Sequence, residues 1–169
     1  RKRASLSALR HARDFAEHVI EGLSDDYEQA RYRSELVAAC VPMKDLSCAE
    51  RLTRRVAADD YGFARRSVTR FLAVVAMTAP DDFETALDEW LLEDRHRDYR
   101  IAEIAKVLIS VGRRDVVELV ARFVTADYYQ WDIAEAVAAA TVADDPALAD
   151  ELLAFEVGVS RYRYRQFAV

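Results

Sequence analysis

The chain has 169 residues, 52% hydrophobic and 32% charged, with a net charge of −6 and a pI near 5.2. That balance suits a folded chain with one sizeable core and excludes a disordered one. The acidic excess disfavours a global nucleic-acid or anionic-membrane surface, and the presence of only 4 Gly and 3 Pro argues against the many turns of an all-β fold.

Taken in chain order, apolar spacings of three and four predict a helix over 5–22 whose inner face is Ala8, Ala12, Phe15, Ala16 and Val19, with Gly22 as its stop. Ser24 is expected to cap the next helix, which carries Tyr27, Ala30, Leu36, Val37 and Cys40 and is ended by Pro42. Ser47 and Glu50 have capping-box spacing ahead of an Ala49, Leu52, Val56 stripe. Ala64, Val68, Phe71, Leu72 and Val75 follow in helical register, and Thr78 with Pro80 reads as a fresh helix start.

Phe83, Ala86, Leu87, Trp90 and Leu91 line the next helix, and 93–98 is a connection. From Tyr99 the apolar set is Ala102, Ile104, Ala105, Leu108 and Val111, closed by Gly112. Val116, Leu119, Val120, Phe123 and Val124 form another stripe, and Tyr128, Trp131, Ala134, Val137 and Ala138 the one after it. Pro146 opens a last helix with Leu148, Leu152 and Phe155, ended by Gly158. The total is about nine helices on short connections, as antiparallel neighbours require.

An acidic residue followed by tyrosine recurs at Asp26-Tyr27, Asp60-Tyr61, Asp98-Tyr99 and Asp127-Tyr128, with the tyrosines 34, 38 and 29 residues apart. That is the period of stacked helical hairpins. The stretch 112–128, with its Gly turn, basic-apolar helix and Asp-Tyr junction, resembles the helical-hairpin repeats of bacterial tetratricopeptide-like proteins, and 99–108 is similar to the second helix of such a unit. The uneven period departs from a strict array, and 78–98 fits badly, so a HEAT-like or irregular superhelix stays open. The resemblance implies an all-α right-handed superhelix of antiparallel pairs over 1–158 and a protein-interaction scaffold without catalytic residues, and the alternating Arg and Tyr residues from Arg161 mark 159–169 as a basic-aromatic tail.

Residue chemistry agrees with that expectation. His11, Asp14 and His18 share a helix face but offer a loose metal spacing with no fourth ligand, and the single Glu93-x-x-His96 unit lacks the second copy a di-iron bundle needs. There is no Gly-x-Ser-x-Gly elbow and no phosphate-binding glycine loop. The carboxylate pairs Asp25-Asp26, Asp59-Asp60, Asp81-Asp82 and Asp144-Asp145 each fall at a predicted helix start, where capping accounts for them. No cofactor and no metal is expected, and the chain is read as a non-enzyme.

Cys40 and Cys48 build no disulfide framework, which favours a reducing, cytoplasmic setting. No apolar run approaches the ~18–20 residues of a membrane span, and no signal peptide is visible.

The Asp-Tyr rings are expected to tuck between the helices of their own hairpin. Tyr128, Tyr129 and Trp131 crowd one helix start, where at least one ring must face outward, and together with Arg100 and Arg122 they are the expected contacts for a peptide or partner protein. The alternative is a helical-repeat nucleic-acid binder using its basic ends, Arg1, Lys2 and Arg3 at one and Arg161, Arg163 and Arg165 at the other.

Overall fold

A computed structural model describes residues 5–57, 63–92 and 94–144, with side chains described as far as Thr141. Its eight α-helices are α1 (Leu6–Glu21), α2 (Asp26–Met43), α3 (Leu46–Ala57), α4 (Ala64–Thr78), α5 (Phe83–Leu91), α6 (Arg97–Ser110), α7 (Arg114–Ala121) and α8 (Asp127–Asp144). A 3-10 turn, Pro80–Asp82, leads into α5, and no strand occurs among the described residues. The ninth helix expected from Leu148, Leu152 and Phe155 lies outside the described residues, as do Tyr61 and the 159–169 tail.

The helix ends follow local chemistry, with corrections of one or two residues. Asp25, not Ser24, caps α2, its carboxylate accepting from the amides of Tyr27 (2.8 Å) and Glu28 (3.2 Å). Both residue types cap well, and the one nearer the first turn has the better reach. Pro42 does not end α2, because in the last turn its missing N–H removes a single ladder bond. The helix stops two residues later, where Lys44 adopts φ 53° and the amide of Asp45 returns to the Cys40 carbonyl at 3.1 Å.

Asp45 then caps α3 through the Cys48 amide at 3.2 Å, displacing the expected Ser47–Glu50 box. Glu50 turns instead to Arg54. Thr78 belongs to the end of α4, where its hydroxyl donates to the Val74 carbonyl at 2.8 Å, and Pro80 opens the 3-10 turn. Asp144 is the last residue of α8, and the helix start expected at Asp145-Pro146 lies outside the described residues. Gly112 ends α6 region with φ 74°, a left-handed conformation that glycine tolerates best.

One core cluster runs from α2 to α8. Its centre is α4, where six consecutive residues, Phe71 to Ala76, are all buried. A helix apolar on every side must have neighbours on every side, and α4 touches α2, α3, α5, α6 and α7. Fully buried Ala73 on α4 and Ala102 and Ala105 on α6 leave room for close backbone approach where these helices meet. Beyond sequence neighbours, α2 touches α4, α4 touches α6 and α6 touches α8.

Helix α1 overturns its predicted inward face. Phe15 is 70% exposed and Val19 49%, whereas Glu17 and Ile20 are buried. Its charged stripe meets the protein instead. Glu17 pairs with Arg51, Arg55 pairs with Glu21 at 2.9 Å, and Arg13 pairs with Asp45. Periodicity locates an apolar stripe but cannot say whether a neighbour exists to cover it.

Candidate interaction surface

The first turns of α2, α6 and α8 carry the Asp-Tyr motifs, and the rings do not tuck inward as expected. Tyr27 is 48% exposed, Tyr99 38% and Tyr128 69%. The cause is geometric. Side chains in a first turn lean toward the helix N-terminus and so project past the layer that would cover them. They pack on other rings at the rim instead. Tyr27 meets Phe63, just before α4, edge-on with centroids 5.3 Å apart. Tyr99 of α6 meets Tyr129 of α8 at 6.1 Å, and Tyr128 meets Tyr129 at 5.1 Å.

Tyr129 is half-buried against the core, so Tyr128 is the outward member of that pair. Trp131 is 45% exposed and lies three residues after Tyr128, on the same side of α8. Arg100 joins the cluster, its guanidinium 5.2 Å from the Tyr99 ring centre and 3.5 Å from the Asp94 carboxylate. Arg122 follows α7 and pairs with Glu118 at 3.0 Å, so its charge is directed back along its own helix. Arg1, Lys2, Arg3, Arg161, Arg163 and Arg165 lie outside the described residues.

Asp98 fixes the rim between α6 and α8. One carboxylate oxygen accepts from the Thr125 amide (3.1 Å), the Thr125 hydroxyl (2.8 Å) and the Ala126 amide (2.7 Å). Farther along, Lys106 joins the same two helices through Asp132 at 2.8 Å. Burial by itself would push the Asp98 carboxyl up, but the Thr125 and Ala126 hydrogen bonds and the Arg97 charge outweigh it and hold the group below the usual carboxylate range.

The stability from Asp98 is therefore present above its ordinary pKa and lost as pH falls through the lowered one. Asp98→Ala is expected to cost about 1–2 kcal/mol, as for loss of an N-cap, and to flatten the acid limb of stability measured by urea unfolding across pH. An unchanged midpoint in Asp98→Ala would remove the carboxylate from this role.

A second feature escaped the sequence reading. Asp-Tyr-x-Gln occurs twice, as Asp26-Tyr27-Glu28-Gln29 and Asp127-Tyr128-Tyr129-Gln130. In both, the glutamine amide donates to the carbonyl six residues earlier. Gln29 reaches Leu23 at 2.7 Å and Gln130 reaches Val124 at 3.0 Å. The two helix starts thus use one device, and the signal was a glutamine at a fixed offset from the tyrosine.

Among the described residues no group of His, Cys, Asp or Glu side chains could hold a metal ion, and no helix is long and apolar enough to cross a membrane. His11 spends its ring nitrogen on the Ser7 carbonyl at 2.7 Å. Comparison with protein-family models, with curated proteins and with solved structures finds no match.

Proposed function

We propose that the chain is a protein-interaction module built as a helical repeat, a right-handed superhelix of antiparallel helix pairs of tetratricopeptide-like or HEAT-like character. The succession of α2–α4, α4–α6 and α6–α8 contacts and the shared glutamine device of α2 and α8 support the stacked reading. The observation that carries the binding role is the exposure of Tyr27, Tyr99 and Tyr128 at the N-terminal ends of alternate helices. Large rings held at a rim by edge-on contacts are rigid and amphipathic, the properties of interface anchors. The ligand is a peptide or partner protein lying along that rim, with Trp131 and Arg100 beside it, in a cytoplasmic setting.

Selection of displayed peptides on the immobilised chain tests the reading. Tyr99→Ala and Tyr128→Ala each remove a rim ring in edge-on contact with Tyr129, so folding stability should fall by no more than about 1.5 kcal/mol. Peptides that enrich on the parent chain should bind each variant about tenfold or more weakly, a difference of about 1.4 kcal/mol. Equal affinity for parent and variants, or no enrichment, would reject the rim as the binding surface.

A further inference from the structure

Twice among the described residues, the fold stacks one of its own arginines on a ring and pins it there with a carboxylate. The Arg100 guanidinium lies 5.2 Å from the Tyr99 ring centre and 3.5 Å from the Asp94 carboxylate. The Arg54 guanidinium lies 5.0 Å from the Trp90 ring centre and pairs with Glu50 at 3.0 Å and Glu89 at 2.8 Å. The negative face of a ring and a carboxylate attract the same cation, and a planar guanidinium suits both.

The outer stripe of α8 has the rings and the carboxylates without the arginine. Asp127, Trp131 and Glu135 follow one another at intervals of four, and Tyr128 precedes Trp131 by three, so all four share one side of the helix. Tyr128 is 69% exposed and Trp131 45%, and Asp127 and Glu135 are exposed as well. Among the described residues no lysine or arginine reaches Asp127, Tyr128 or Glu135. The cations of the neighbouring helices are engaged elsewhere. Lys106 pairs with Asp132 and Glu103, Arg97 with Asp88 and Arg122 with Glu118, and Arg114 donates to the Ala140 carbonyl. At α6 the equivalent carboxylate, Asp98, is spent on Thr125 and Ala126. Asp127 has no such employment, so a neutral or acidic segment docked on α8 would leave its charge and that of Glu135 unmatched.

We infer that the α8 end of the rim takes an arginine-bearing segment of a partner protein, its guanidinium stacking on Tyr128 or Trp131 and pairing with Asp127 or Glu135. The inference rests on the rim as the binding surface and adds the charge of what binds there. Arginine fits better than lysine, because its fork stacks on a ring and donates to a carboxylate at once. The same two carboxylates repel the phosphates of a nucleic acid or an anionic membrane.

The test selects random displayed peptides on the whole chain. The enriched sequences are then resynthesised with each arginine replaced by citrulline, which keeps the shape and loses the charge. Enriched sequences should carry arginine, and their citrulline forms should bind roughly tenfold more weakly. That difference should shrink as salt rises. Asp127→Asn combined with Glu135→Gln, both at exposed positions, should weaken the arginine forms by about the same factor and leave the citrulline forms within about twofold. A general loss of folding would weaken both forms alike. Enriched sequences without arginine, or citrulline forms that bind as tightly, would overturn the inference and leave the rim standing as an uncharged site. Absence of enrichment on parent and variants alike would overturn both. Enrichment that appears only when Arg161, Arg163 and Arg165 are changed to Gln would make the occupant this chain's own tail, and self-association abolished by Asp127→Asn would make it a second copy. Either result overturns the assignment to a partner.

Discussion

Phe83→Ala is expected to destabilise the fold by about 3–5 kcal/mol, lowering the thermal midpoint by roughly 6–20 °C in calorimetry. Phe83 is fully buried at the first position of α5. Its ring meets Phe123, beyond α7, with centroids 5.6 Å apart and planes at 68°. That edge-on pair ties α5 to the end of α7, two short helices that both also pack on α4. Truncation removes both the transfer energy of the ring and its contact with Phe123, and leaves a void walled by separate helices that cannot all close on it. A loss below about 1 kcal/mol would mean that the two helices are held by other contacts.

Leu72→Ala should cost about 2–5 kcal/mol, and its effect should spread differently. Leu72 is fully buried in the middle of α4. That helix touches α2, α3, α5, α6 and α7. In a stack stabilised by neighbouring contacts, a lesson at one place weakens mainly the units that adjoin it. Amide hydrogen exchange in Leu72→Ala should accelerate in both α2 and α6, whereas in Phe83→Ala it should accelerate chiefly in α5 and α7. If both variants instead quicken exchange uniformly, the fold is one cooperative globule and the stacked reading loses its thermodynamic content.

Helix existence was legible because apolar residues recur at helical spacing and few Gly or Pro interrupt them. The segment Phe71 to Met77, uniformly apolar, announced the central helix, and all but Met77 of that run are buried. Helix ends were less legible, because Ser24 and Asp25, or Ser47 and Asp45, are near-equal capping candidates that only local geometry separates. The inward face of α1 was misread because its covered side is defined by Arg51, Arg55 and Asp45, residues that periodicity within α1 does not include.

The tyrosines were found as a pattern but assigned to the wrong environment. Their recurrence reflects a repeated position at a helix start, which fixes neither burial nor exposure. What decided it was the projection of first-turn side chains beyond the helix layer. The bond from Asp98 to the start of α8 spans 27 residues, and no local spacing could have revealed it.

The central claim is that the ends of alternate helices present their aromatic rings to a partner. Amide chemical-shift mapping of the isotope-labelled chain, titrated with a peptide selected on it, tests this most directly. The account predicts that perturbations gather at Tyr27, Tyr99, Tyr128 and Trp131 and follow the start of α2, α6 and α8. Perturbations confined to the exposed stripe of α1 around Phe15 and Val19, with the rim unmoved, would contradict it.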